Sequence, residues 1–437
     1  MTRDPGPPQR SRNLRGRSGV SCFVFANLAL LAAGCLPMGT APKSDLGAYP
    51  FAQIAPASVD NEVHFYEERV KTHPNSAIEE TSLAQAYLNK AQTSAKFEYY
   101  GLAEKAAKEA LRLHPDYNQA ELIVAALKEA RHDFQGSYDI TNKLYEADSN
   151  DVGAKSLLTN SMLELGHLQD AHAVATSIMR QWPTSSTMAL VARCLILEGK
   201  DDQATQLLME ALKKEQADEK KSSARIRSLL GDMYLREGRD DDARHWFDAS
   251  LSVTRNNFPA LLGLARLEGR LGHWDWMERL YTEAFSYTQN PAYLTEMSYA
   301  QAKQGNQEEA KNNLNNADQL LRKVLTQGEY GHGRDLTRVL LIKNQPKEAL
   351  TILEKEHKQR NDWKLKEVLG TTEGRLGHWK EALESYQAAI DTGLREPVLY
   401  ELAAQAAEQL KDTAAAARLR QQAKAINPNF KPEWVEF

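Results

Sequence analysis

From about residue 76 onward, apolar positions recur every three or four residues in short blocks, and each block stops at a polar or Pro-containing break before the next begins. Three successive breaks, His114-Pro115, Asp148-Ser149 and Trp182-Pro183, are 34 residues apart. Each interval reads as two amphipathic helices, the first with a small residue near its middle and the second opening on Ala or Ser. A pair of short helices cannot bury its own apolar face, so it must stack on the next pair. No segment alternates apolar and polar residues long enough to predict a strand, and Leu, Ala, Glu, Lys and Gln dominate. The predicted fold is all-α.

The spacing within units adds specificity. Leu230-Gly231, Tyr234, Gly238, Ala243, Phe247 and Ser250 form one unit; Leu369-Gly370, Gly377-His378-Trp379, Ala382, Tyr386 and Ala389 form another. Gly231 and Gly370 admit a close second helix, Gly238 and Gly377 end the first helix with φ > 0, and Ala243 and Ala382 lie where two backbones touch. Tyr234, Phe247 and Tyr386 fill the space between helices. This pattern resembles the tetratricopeptide repeat, which implies a right-handed superhelical solenoid; about ten repeat-like pairs fit between residues 76 and 430 at that period. The first unit carries an insertion around Gln92–Tyr99 that must lengthen a helix or bulge a turn. The unit near Gly328–Lys355 keeps little beyond Ala349 and Leu353, and the alanine-rich last unit ends at Asn427-Pro428 as a cap.

The amino terminus follows another logic. Arg3, Arg10, Arg12, Arg15 and Arg17 precede the apolar run Val20–Leu31, and Leu31-Ala32-Ala33-Gly34-Cys35 follows at once. The segment resembles a bacterial lipoprotein signal peptide, which implies cleavage before Cys35 and its lipidation; a simple export signal and an uncleaved anchor are the other readings. Leu36 after the Cys implies the outer membrane, with the repeats facing the periplasm. The domains are then residues 1–34 (signal), 35–60 (a lipidated, Pro-rich tether), 61–327 (an N-terminal solenoid) and 328–437 (C-terminal repeats and cap).

Loss of the five Arg and one Asp of residues 1–34 takes the formal net charge from −5 to −9, a poor match to nucleic acid. Cys194 would be the sole cysteine left outside the signal and the lipidated end, in an apolar context that predicts burial. Neither a phosphate loop, a Ser-His-Asp pattern nor a zinc-protease pattern is present, and no carboxylate pair stands out among 59 acidic residues. The reading is non-enzymatic, without a cofactor or metal. Three His residues, His167, His273 and His378, follow turn glycines in separate units and read as turn packing rather than as metal ligands.

The repeat register implied by the resemblance puts Arg193, Arg225, Asp232, Arg236, Arg266, Arg270, Tyr299, Lys303, Arg334, Arg338 and Arg375 on a concave groove. Such a groove predicts capture of an acidic peptide segment, a protein carboxyl terminus or an anionic polysaccharide; the other reading pairs these Arg residues with acids on adjacent helices. Gly328-Glu329-Tyr330-Gly331-His332-Gly333 reads either as a break between two subsolenoids or as a loop presenting Tyr330 and His332 to the groove. Repeat-bearing lipoproteins of this kind imply a scaffold for an envelope assembly such as a pilus or secretin, polysaccharide export or cell-wall machinery; the alternatives are an accessory subunit or binding protein for anionic polysaccharide, and an envelope enzyme.

Overall fold

The computed structural model describes residues 59–94, 98–215, 220–326 and 332–433, and every regular element among them is a helix. An opening helix α1 (Val59–Thr72) leads into ten hairpins. These are α2 (Ala77–Ser94) with α3 (Glu98–Leu113), α4 (Asn118–Ala130) with α5 (Phe134–Ala147), α6 (Val152–Leu165) with α7 (Leu168–Gln181), α8 (Ser185–Leu197) with α9 (Asp201–Lys213) and α10 (Lys220–Arg236) with α11 (Asp240–Val253). They continue as α12 (Phe258–Arg270) with α13 (Trp274–Thr288), α14 (Ala292–Gln304) with α15 (Gln307–Thr326), α16 (His332–Ile342) with α17 (Pro346–Glu356), α18 (Trp363–Leu376) with α19 (Trp379–Ile390) and α20 (Pro397–Gln409) with α21 (Thr413–Ile426). The predicted all-α superhelical repeat and its ten pairs are present; the insertion in the first unit extends α2 to Ser94.

Local chemistry sets the helix ends. Asp133, Asp151, Asn257 and Asp412 each accept a hydrogen bond from the backbone N–H three residues on, and Thr184 forms a reciprocal capping box with Thr187. Gly377 closes α18 in the left-handed region at φ 82°. Within units, the anchors predicted from spacing do their packing. The fully buried ring of Phe247 lies between Gly231 and Gly263, where a Cβ would come within 2.5 Å and 2.3 Å of it. Tyr386 fills the same place against Gly370.

Each second helix packs on the first helix of the next pair, and first helices of successive pairs also touch, α10 on α12 and α16 on α18 among them. The stack therefore curves toward its first helices, which form the inner face. It also continues on both sides of residues 327–331, which lie outside the described residues. α16 begins at His332, and Leu294, Ala317, Leu321, Leu336, Val339, Leu340 and Ala349 make one core across them. The boundary drawn at 327/328 thus separates no two cores, a correction whose cause is apolar continuity from α14 to α17.

The curvature brings the coil back onto itself. The turn after α6 meets the loop before α18: the Asn361 N–H donates to the Glu164 carbonyl at 2.9 Å, and Arg360 Nη2 is 2.8 Å from Glu164 Oε2. The turn after α8 meets the loop before α20, with the Gly393 carbonyl placed where a Cβ on Gly199 would stand. The turn after α10 meets the end of α21, where Asn427 lies against Gly238 in the same way. At the other end the rings of His132 and His332 are 5.8 Å apart. The second superhelical turn is seated on the first along this seam.

Candidate functional site

The inner face is built from side chains on the first helices, and both signs of charge are present along it. Arg193 donates to Asn160 Oδ1 at 2.9 Å and is 3.6 Å from Glu164; Arg236 is 3.6 Å from Asp201; Arg266 reaches Asp232 Oδ1 at 2.6 Å. Arg270 contacts Asp240 and donates to the Leu235 carbonyl at 2.6 Å; Arg334 is 3.5 Å from Asp362; Arg338 is 2.6 Å from Glu296. The predicted basic groove is thus a mixed-charge wall, because each of these Arg residues meets an acid one helix or one unit away. Arg225 and Arg375 are exposed and have no ion-pair partner within 4 Å among the described residues. Tyr299 stacks edge-on with Trp274 at 5.8 Å between ring centres, and Lys303 Nζ lies over both rings, 5.1 Å and 5.9 Å from their centres.

Charges from the two turns act on one another across this face. Arg266 is 52% exposed to water, yet Glu396 from α20's start acts on it from across the coil, and Lys364 feels Arg266 and Asp232. These side chains therefore face one another across the inner side of the coil. Burial pushes the Glu129 carboxyl up to about 8, against the Ser161 hydroxyl that donates to it at 3.0 Å and the nearby Arg193. Burial and then the Glu396 charge push Glu367 up to about 7. Although the Arg225 side chain is open to water, desolvation by the surrounding wall and repulsion from Arg193, opposed by Glu129, pull it down to about 10.

The remaining predicted positions have other fates. His332 is not presented by a loop: it is 5% exposed, starts α16, and places Nδ1 3.1 Å from Asp335. Tyr330 and Cys35 lie outside the described residues. Cys194 is fully buried, and burial pushes its thiol up to about 12, far from a nucleophile's range. His273 and His378 precede α13 and α19 and bind Glu268 and Glu373 at 2.8 and 2.6 Å, so they pack turns as predicted. Sequence reasoning missed Glu129, Glu367, Glu396, Lys364 and Arg360. Only Glu129, Glu367 and Lys364 lie within a first helix, where the repeat register could have found them.

A second concavity of about 720 Å³ opens between α11 and α13, floored by Leu261 and Leu264 and rimmed by the half-exposed Trp276. No helix among the described residues is long and apolar enough to cross a membrane.

No family model matches the chain, and no curated protein does. Among solved structures it is similar to yeast Tom70, with 14% identity over 84% of this chain and 92% of that one at a TM-score of 0.38. It is also similar to a chain of the APC/C hetero-tetramer Cut9-Hcn1, with 14% identity over 86% and 92% at 0.37. The fold described above rests on the chain's own helix pairs.

Proposed function

We propose that this chain is a non-enzymatic scaffold that holds an extended acidic segment of a protein partner on its inner face. The observation that carries this reading is Arg225. It stands on the inner face with the charges of Arg193 and Glu129 near it and no ion-pair partner of its own within 4 Å among the described residues, and so offers its charge to a ligand carboxylate. The ordered first helices fix the spacing of such charges, which suits a ligand that lies along several units. An anionic polysaccharide is the second reading; the Trp274, Tyr299 and Lys303 cluster favours it, since aromatic faces stack on sugar rings and a cation meets a uronate.

The basic, apolar and Cys-terminated amino terminus supports attachment through Cys35 to the outer membrane, with the repeats in the periplasm. Work in envelope assembly follows from that placement: pilus or secretin, polysaccharide export or cell-wall machinery. The test replaces Arg193 and Arg225 by Glu together and compares recovery of partners from envelope extracts. Loss of a protein partner with helix content intact is the expected result. Unchanged recovery of every protein, or loss of polysaccharide alone, removes the protein-segment reading.

A further inference from the structure

We propose that the seam between the two superhelical turns is a clasp that opens to admit the ligand to the inner face, with the Arg360–Glu164 ion pair as its latch. This rests on the inner-face reading above and adds its regulation.

The seam is polar where the rest of the stack is apolar. It consists of turns meeting loops: the Asn361 to Glu164 peptide hydrogen bond, the Arg360–Glu164 pair, Arg395 Nε at 3.4 Å from Asp201, and Arg236 donating to the Arg395 carbonyl at 3.2 Å. Among apolar residues, Leu197 packs against the cores on both sides. Separation along such a surface gives up the contact of Leu197 with one core and leaves the rest of both cores in place, as at polar domain interfaces.

The charges are arranged for reversible parting. Removing one member of a buried ion pair is costly because the other is left unpaired. Of the four charges paired across the seam, Arg360, Glu164 and Asp201 each have a second partner in their own turn, and Arg395 is 45% exposed to water. Arg360 keeps Asp362 at 2.5 Å and Glu356 at 3.8 Å, with the Phe134 ring 5.2 Å away on the facing turn. Glu164 keeps Arg193 and Asp201 keeps Arg236, each at 3.6 Å. The seam therefore opens without stranding Glu164, Arg360 or Asp201. In the closed coil, Glu396 also acts on Arg266 from the facing turn, an attraction that opening the seam would relax.

The test uses the full chain with Cys22 and Cys35 replaced by Ser, carrying paramagnetic labels at Lys200→Cys and Asp391→Cys. Both positions are exposed and lie on facing sides of the Gly199–Gly393 contact. The unmodified seam should give one short separation. Glu164→Gln, which removes only the charge, and Arg360→Ala should each add a longer separation, several-fold more populated, with helix content unchanged. One unchanged separation in all three proteins overturns the clasp, whatever binds. A second arm locks the seam with Glu164→Cys and Asn361→Cys and follows an oligoglutamate peptide by fluorescence anisotropy. Binding about tenfold weaker when oxidised, restored by reductant, is the expected result. Binding that Arg193→Glu with Arg225→Glu abolishes but the lock leaves untouched overturns the gate and keeps the inner-face reading. Binding indifferent to those two Arg residues overturns the inner-face reading itself.

Discussion

Phe247 shows what a single residue contributes to this architecture. Its ring separates α10 from α12 only because Gly231 and Gly263 leave room on either side. Gly263→Ala should cost about 1–3 kcal/mol through overpacking, read as a lower midpoint in urea with an unchanged slope. Gly231, Phe247, Gly370 and Tyr386 were legible in the sequence because sterics at helix crossings act over a fixed short spacing. The charged residues were less so: the register placed Arg193 to Arg375, but their acidic partners come from other helices and, for Arg360, from a unit far along the chain. Glu129 gives a titration signature. Its folded pKa of about 8 stands above the ordinary 4.5, so the native state holds the extra proton across that window. Stability from this group is full below about pH 4.5 and is lost as pH rises through 8. The fall in melting temperature between pH 5.5 and 8.5 should be smaller in Glu129→Gln than in the unmodified protein; an equal or larger fall contradicts the assignment.

At the scale of elements, helix hairpins were the most legible feature, since 3.6-residue periodicity and caps such as Asp133, Asp151 and Asn257 are local. The Gly-rich approach to α16 misled for a physical reason. Glycine lowers helix propensity, but Gly333 is buried at a site where a Cβ would meet Glu356 Oε2 at 2.4 Å, so close packing accounts for that glycine, and Gly328 and Gly331 lie outside the described residues. Ending the chain after Thr326 should uncover Leu294 and Leu321 and remove the second turn. The shortened protein should melt at a lower temperature than the intact one, whereas an equal midpoint would restore the two-subsolenoid reading. Gly333→Val should likewise destabilise, by an amount visible in urea unfolding, even though valine replaces the poorest helix former short of proline.

At the scale of the molecule, the pitch of the coil was not legible. It accumulates from small rotations at each interface, and no motif records that the turn at Gly199 will meet the loop at Gly393. Acids on neighbouring helices make the predicted basic groove a mixed-charge wall, closure sets charges of the other turn opposite it, and Arg225 has no ion-pair partner within 4 Å among the described residues. The functional account depends on ligands entering there rather than resting in the outer groove between α11 and α13. Site-specific photo-crosslinking in cells tests this most directly, with a photoreactive residue at Asp232, on the inner face of the same helix as Arg225, and, separately, at Arg255, which is 88% exposed beside the outer groove. The account predicts a partner adduct from position 232 and none from position 255. An adduct from position 255 alone would contradict it.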